Sequence, residues 1–147
     1  MKSAIIYLES VAKPKSSVYR VFLSHSHKDS WIARQCTRLI EEGGKPHVRV
    51  FVDEKDIEGG QSIPESVRTG IEKCDEFVVL LSRYSKDRPW VLIEMGAAWG
   101  LRKPIVVITD KIAPKEMPDI LSRDKAIDLN DFDQYITQLL KPAKTRR

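Results

Sequence analysis

The sequence predicts a single doubly wound α/β domain, with a five-stranded parallel sheet and helices on both faces, and three observations carry that expectation. Short β-branched runs alternate with helical segments along the 147 residues. Two of the runs, Phe77 to Ser82 and Ile105 to Thr109, are apolar almost throughout, as in strands covered on both faces. The stretches between runs are long enough for a crossover helix, which implies right-handed βαβ units. With 41% hydrophobic residues the chain can build one core and is too short for two ordinary domains.

Residues 1–17 hold one apolar patch, Ala4 to Leu8, followed by a Lys-Pro-Lys-Ser-Ser segment that reads as a linker. The domain proper is therefore set at 18–140, with a basic tail at 141–147. Tyr19 to Ser24 is the first strand, and the polar His25-Ser26-His27-Lys28-Asp29 follows, with Asp29 placed to cap the next helix. That helix, Ser30 to Glu42, puts Ile32, Cys36, Leu39 and Ile40 on one apolar face and ends at Gly43-Gly44. Val48 to Val52 is the second strand, and Asp53 opens an acidic loop to Gln61. Ser62-Ile63-Pro64-Glu65 has the form of a capping box for a helix that runs to about Cys74.

Phe77 to Ser82 is the third strand, Arg83 to Pro89 a loop, and Trp90 to Gly100 a central helix. Ile105 to Thr109, set off by Pro104, is the fourth strand, and Lys125 to Leu129 a shorter fifth. A final helix, Asp131 to Leu140, turns Phe132, Tyr135, Ile136, Leu139 and Leu140 inward. The expected strand order is 2-1-3-4-5, a flavodoxin-like sheet.

Composition excludes several classes. No apolar run approaches the ~18 residues of a membrane span, and Glu9 and Lys13 interrupt the N-terminus where a secretion signal needs an apolar core. A cytoplasmic protein without membrane association is expected. Cys36 and Cys74 lack CxxC spacing, which fits a reducing compartment and argues against a disulfide framework or a zinc site; both read as buried packing residues. The net charge of +4 owes much to Lys141, Lys144, Arg146 and Arg147, and no basic stripe with interleaved aromatics suggests a nucleic-acid partner.

The central helix carries the sequence's oddest residue. At about 100° per residue, Glu94 shares a helical face with Trp90, Ala97, Ala98 and Leu101, none of which can pair with a charge. A buried carboxylate costs several kcal/mol unless it is paired, protonated or used, and desolvation raises its pKa. Either it reaches a distant Arg or a backbone amide as a core residue, or it is functional. Gly96, Ala97, Ala98 and Gly100 would let a flat ligand or another backbone approach closely.

In a doubly wound sheet, ligands bind beyond the carboxyl ends of the strands, where strand order reverses. The loops there run from Ser24 to Asp29, Asp53 to Gln61 and Ser82 to Trp90, which makes Ser24, His25, Ser26, Asp29, Asp53, Ser82 and Trp90 the candidate contacts beside Glu94. Trp90 can pack on a ring or serve as a plain core anchor. Ser24, His25 and Ser26 precede a helix N-terminus, which favours phosphate or other polar groups. His25 and His27 are possible bases, although the expected role of both is that of solvated loop residues. A metal site from His25, His27 and His47 has no supporting spacing, and neither GxGxxG nor GxxxxGK[ST] is present, so no metal and no bound cofactor are expected.

Three boxes in order then resemble the Toll/interleukin-receptor (TIR) domain family: Tyr19 to Asp29, Val52-Asp53 to Gly60, and Leu81-Ser82 to Trp90 and Glu94. The resemblance covers about residues 18–140. Its first box, an aromatic-aliphatic strand running into Ser before an acidic helix start, is matched by Val21 to Asp29; its Trp four residues before a Glu is matched by Trp90 and Glu94. In adaptor branches of that family the domain is an assembly module, and in catalytic branches it cleaves NAD+ at the nicotinamide–ribose bond with the Glu matched by Glu94. The resemblance thus implies a catalytic, prokaryotic-type TIR protein with NAD+ as substrate, Glu94 as the catalytic residue, and self-association through TIR surfaces.

The product implied is nicotinamide with ADP-ribose or a cyclic isomer. A chain this short is expected to rely on a separate effector protein in a defence system. Where many adaptor members carry Pro-Gly in the loop after the second strand, this chain has Glu58-Gly59-Gly60, which suggests a mobile lid. Two alternatives stay open: a non-catalytic assembly module, and a nucleoside deoxyribosyltransferase-like enzyme sharing the layout and a glycosidic carboxylate.

Overall fold

The computed structural model describes residues 18–53, 64–121 and 126–141. Five parallel strands, β1 (Tyr19–Ser24), β2 (Val48–Val52), β3 (Glu76–Leu81), β4 (Ile105–Thr109) and β5 (Ala126–Asp128), form one sheet in the order β2-β1-β3-β4-β5. Four helices connect or close it: α1 (Ser30–Gly43), α2 (Glu65–Lys73), α3 (Pro89–Gly100) and α4 (Phe132–Leu139). The expected doubly wound topology is present, with its order reversal between β1 and β3.

Alternating strand side chains divide the core into two layers. On one face Val21, Leu23, Val78 and Leu80 pack against Cys36 and Ile40 of α1 and Phe132, Tyr135 and Leu139 of α4. On the other, Phe22, Phe77 and Val79 meet Val67 and Ile71 of α2 and Val91, Met95 and Ala98 of α3. Phe22 stacks between Phe51 and Phe77, with ring centroids 5.3 Å from each. Against that stack α2 needs a glycine, because a Cβ on Gly70 would lie 3.1 Å from the Phe51 ring and 3.2 Å from that of Phe22.

The central strands explain their sequence. All six residues of β3 are buried, including Glu76, whereas edge strand β2 alternates toward solvent. Glu76 Oε1 accepts from the Tyr19 hydroxyl at 3.0 Å and Oε2 from that of Tyr135, so both oxygens are satisfied. Cys36 and Cys74 are buried free thiols, each pushed up to about 11 chiefly by burial.

Several details depart from expectation. Leu39 and Leu140 are exposed at 43% and 59%: Leu39 lies outside the buried stripe of α1 formed by Ala33, Cys36 and Ile40, and Leu140 falls just past the end of α4. β3 begins at Glu76, one residue earlier than its apolar run, and Ser82 falls outside it. Asp29 is the N-cap of α1 by backbone position, but its side chain makes no capping bond. Residues 1–17, 54–63, 122–125 and 142–147 lie outside the described residues, and with them the expected lid at Glu58-Gly59-Gly60 and Ser62 of the expected capping box. Among the described residues no helix is long and apolar enough to cross a membrane.

Candidate active site

The site assembles at the order reversal, where the chain leaves β1 and β3. Ser24 ends β1 and is fully buried, with His25 and Ser26 behind it at 5% and 2% exposure. The expected solvated role fits His27, which is exposed, but not His25. Ser26 Oγ accepts from Lys28 N at 3.2 Å and starts a short 3-10 turn, His27–Asp29. That turn aims Asp29 across the switch point rather than back along α1.

There Asp29 Oδ2 accepts a 2.5 Å hydrogen bond from Ser82 Oγ. The same hydroxyl accepts from Tyr84 N at 3.0 Å, and Ser85 Oγ bridges Ser82 N and Leu80 O at 2.8 Å each. The β1–α1 and β3–α3 turns are thus joined by two buried side chains, and the second turn is braced internally. This arrangement positions the start of α3.

Pro89 opens α3 at a position where a missing N–H costs nothing. Glu94 follows at 2% exposure, and its Oε1 accepts from Ser24 Oγ at 2.6 Å. Its Oε2 is buried with no hydrogen-bond partner among the described residues. Burial raises the carboxyl, the Ser24 hydrogen bond lowers it and the nearby Asp53 charge raises it, leaving it near 8. Trp90, half-buried one turn earlier, donates from Nε1 to Asp53 Oδ2 at 3.0 Å.

From Glu94 a groove of about 380 Å³ runs between α2 and α3. Trp90, Ile93, Ala97 and Leu101 form its α3 wall, with Val67 and Ile71 opposite. Arg68 and Glu72 add the polar groups of the α2 wall. Gly100 leaves its end open, since a Cβ there would have no neighbour within 4 Å. Lys103 Nζ donates to Glu72 O at 2.7 Å and Cys74 O at 2.9 Å, which satisfies the terminal carbonyls of α2 and holds that wall.

Of the residues singled out from sequence, Ser24, Asp53, Trp90 and Glu94 form one constellation, and Asp29 and Ser82 form a second, adjacent pair. Ser26 is occupied with its own turn. The three histidines do not converge: His47 O accepts from Tyr19 N at the opposite end of β1 from His25, and among the described residues no three His, Cys, Asp or Glu side chains are grouped to hold a metal. Sequence reasoning missed the α2 wall. Its signal was the repeat Val67, Arg68, Ile71, Glu72, which lies on one helical face.

A family model described as "TIR domain" matches residues 21–140. No curated protein matches the chain. Among solved structures, the TIR domains of the activated Roq1 resistosome, which directly recognises the pathogen effector XopQ, are 20% identical with a TM-score of 0.56, covering 83% of this chain and 97% of that one. A metazoan TIR-STING receptor from C. gigas is 20% identical with a TM-score of 0.65, covering 90% of this chain and 43% of the receptor. The Clostridium botulinum CMP N-glycosidase BcmB is 20% identical with a TM-score of 0.52, covering 82% and 97%. At that identity these likenesses concern the fold.

Proposed function

The chain belongs to the TIR domain family, and from that premise we propose that it is an NAD+ glycohydrolase or cyclase that cleaves the nicotinamide–ribose bond. The observation that carries the reading is Glu94: a buried carboxylate with one oxygen held by Ser24, the other without a partner among the described residues, at the head of an open groove. A core carboxylate kept for packing would have both oxygens satisfied, as Glu76 does.

The chemistry suits one carboxylate. Nicotinamide is cationic in NAD+ and leaves neutral, so the electrons of the breaking C1′–N1 bond pass to the ring nitrogen and no general acid is needed, unlike the paired carboxylates that cleave oxygen-linked sugars. The cationic ring also draws Glu94 into its ionised form as it binds. Ionised Glu94 then stabilises the positive charge that develops on the ribose, in a site dry enough for that charge to count. Water adding at C1′ and losing a proton gives ADP-ribose; an adenine nitrogen adding there gives the cyclic isomer. Trp90 packs against the substrate while Asp53 fixes its ring.

The N-glycosidase activity in the name of the C. botulinum neighbour supports a glycosidic reaction class. The resistosome and receptor neighbours support a signalling role in defence and self-association through TIR surfaces; the separate effector of this proposal rests on the family resemblance alone. The location proposed is cytoplasmic.

The test is chromatography with mass detection on purified protein incubated at high concentration with NAD+, and separately with CMP. Wild type should release nicotinamide, and Glu94→Gln should lose at least about a hundredfold in rate while staying folded. Equal rates for the two proteins would remove Glu94 from the chemistry. Base release from CMP alone would favour a nucleotide N-glycosidase, and no release from either substrate the assembly-module alternative.

A further inference from the structure

Arg68 and Glu72 are the polar residues that the groove's α2 wall offers. Neither has an ion-pair partner among the described residues, and both are exposed. They stand four apart on one helical face, about 6 Å along the axis at 1.5 Å per residue. Arg68 is the fourth residue of α2, Glu72 the eighth, and Glu94 the sixth of α3, counted from Glu65 and Pro89. Both helices follow strands at the carboxyl end of the sheet, and Arg68, Glu72 and Glu94 line the same groove.

The walls between are mostly apolar, with the small residues Ala97 and Gly100 on the α3 side. A volume of about 380 Å³ lies at the low end of the ~300–1,000 Å³ of ligand pockets. It suits one aromatic ring and part of a sugar, not a whole dinucleotide. A guanidinium only donates, and an ionised carboxylate only accepts. A carboxamide answers both from a single carbon, its oxygen accepting and its NH2 donating, and in NAD+ it is carried by the ring whose ribose bond the reading places at Glu94.

Building on the reading of NAD+ as substrate, we infer that the α2–α3 groove takes the nicotinamide ring and that Arg68 and Glu72 read its carboxamide, making them specificity-determining residues. Arg68 donates to the amide oxygen and Glu72 accepts from the amide nitrogen. The ring lies along Ile93 and Ala97, with its ribose bond at Glu94. Replacing the carboxamide by a carboxylate keeps the Arg68 contact but sets two negative charges together at Glu72, so the site rejects nicotinate and dinucleotides that carry it.

The experiment is a ligand-observed NMR titration of nicotinamide and of nicotinate at pH 7.5 against wild type, Glu72→Gln and Arg68→Leu, with thermal melts confirming that each variant folds. Wild type should bind nicotinamide at least about tenfold more tightly than nicotinate. Glu72→Gln, which keeps Arg68, should bring nicotinate to parity or better, and Arg68→Leu should weaken both ligands about tenfold. Equal binding of the two ligands by wild type, binding of neither, or a preference unmoved by the substitutions overturns the inference. Selectivity without NAD+ cleavage would keep this site and sink the catalytic reading. Cleavage without selectivity would do the reverse.

Discussion

Ser24 Oγ donates a 2.6 Å hydrogen bond to Glu94 Oε1, tying the end of β1 to the second turn of α3. This bond favours the ionised carboxylate against burial, the largest influence, and against the Asp53 charge, with a balance near 8. If the ionised form does the chemistry, kcat/KM for NAD+ should climb with pH until about 8 and then level. Ser24→Ala should move that limb to higher pH, and Asp53→Asn, which can still accept from Trp90 Nε1, to lower pH, each by up to about one unit. Profiles of kcat/KM against pH check both directions. A limb unmoved by either change would assign it to another group.

The Asp29–Ser82 bond predicts a different kind of defect. Ser82→Ala removes both the donor to buried Asp29 and the acceptor of Tyr84 N, at an expected cost of about 1–3 kcal/mol and a Tm lower by several degrees. Since the two turns also place the start of α3, kcat should fall along with stability. Asp29→Asn keeps an acceptor for Ser82 and should lose less than Asp29→Ala. Melting curves and steady-state kinetics on the three variants decide it; identical losses for Asn and Ala would show that the hydrogen bond matters little.

Periodicity reports which side chains share a face, and that sufficed for the strands and for the oddity of Glu94, while the 2-1-3-4-5 order followed from the alternation of strands and helices. It does not report what a side chain meets after the chain turns back. Glu94 finds Ser24 at a sequence separation of 70 and Asp29 finds Ser82 at 53, distances over which no local pattern operates. Asp29 reads as a cap because Asp before a helix usually is one; the tertiary contact redirected its side chain. His25 reads as a loop residue because its neighbours are polar, yet the fold buries it to 5% exposure. Glu76 lies just outside the apolar run that marks the third strand, and two tyrosines distant in sequence, one from β1 and one from α4, offset its burial.

That tyrosine pair supplies a control remote from the chemistry. Glu76 pairs in register with Val21 near the amino end of the sheet, away from the crevice. Tyr135→Phe should leave Glu76 Oε2 without this donor and lower stability by about 1–3 kcal/mol. The rate per folded molecule should stay at the wild-type value. Urea unfolding followed by kinetics well below the transition tests both halves, and a drop in kcat would connect the two ends of the sheet in a way the contacts do not suggest.

The final prediction concerns what Glu94 costs the fold. Its carboxyl titrates near 4.5 when exposed and near 8 when buried, so between those values the folded protein keeps a proton that the unfolded chain has lost. Protons bound to the folded state favour it, and that advantage is complete below pH 4.5, shrinks as pH rises and is gone above about 8. The stability of wild type relative to Glu94→Gln should therefore fall across this window, by an amount on the order of 5 kcal/mol for a shift of that size. Gln cannot ionise, keeps an acceptor for Ser24 and should be the more stable protein at pH 9. Urea unfolding of both proteins at pH 5, 7 and 9 gives the difference directly, and parallel curves would mean that Glu94 is already ionised in the fold at neutral pH.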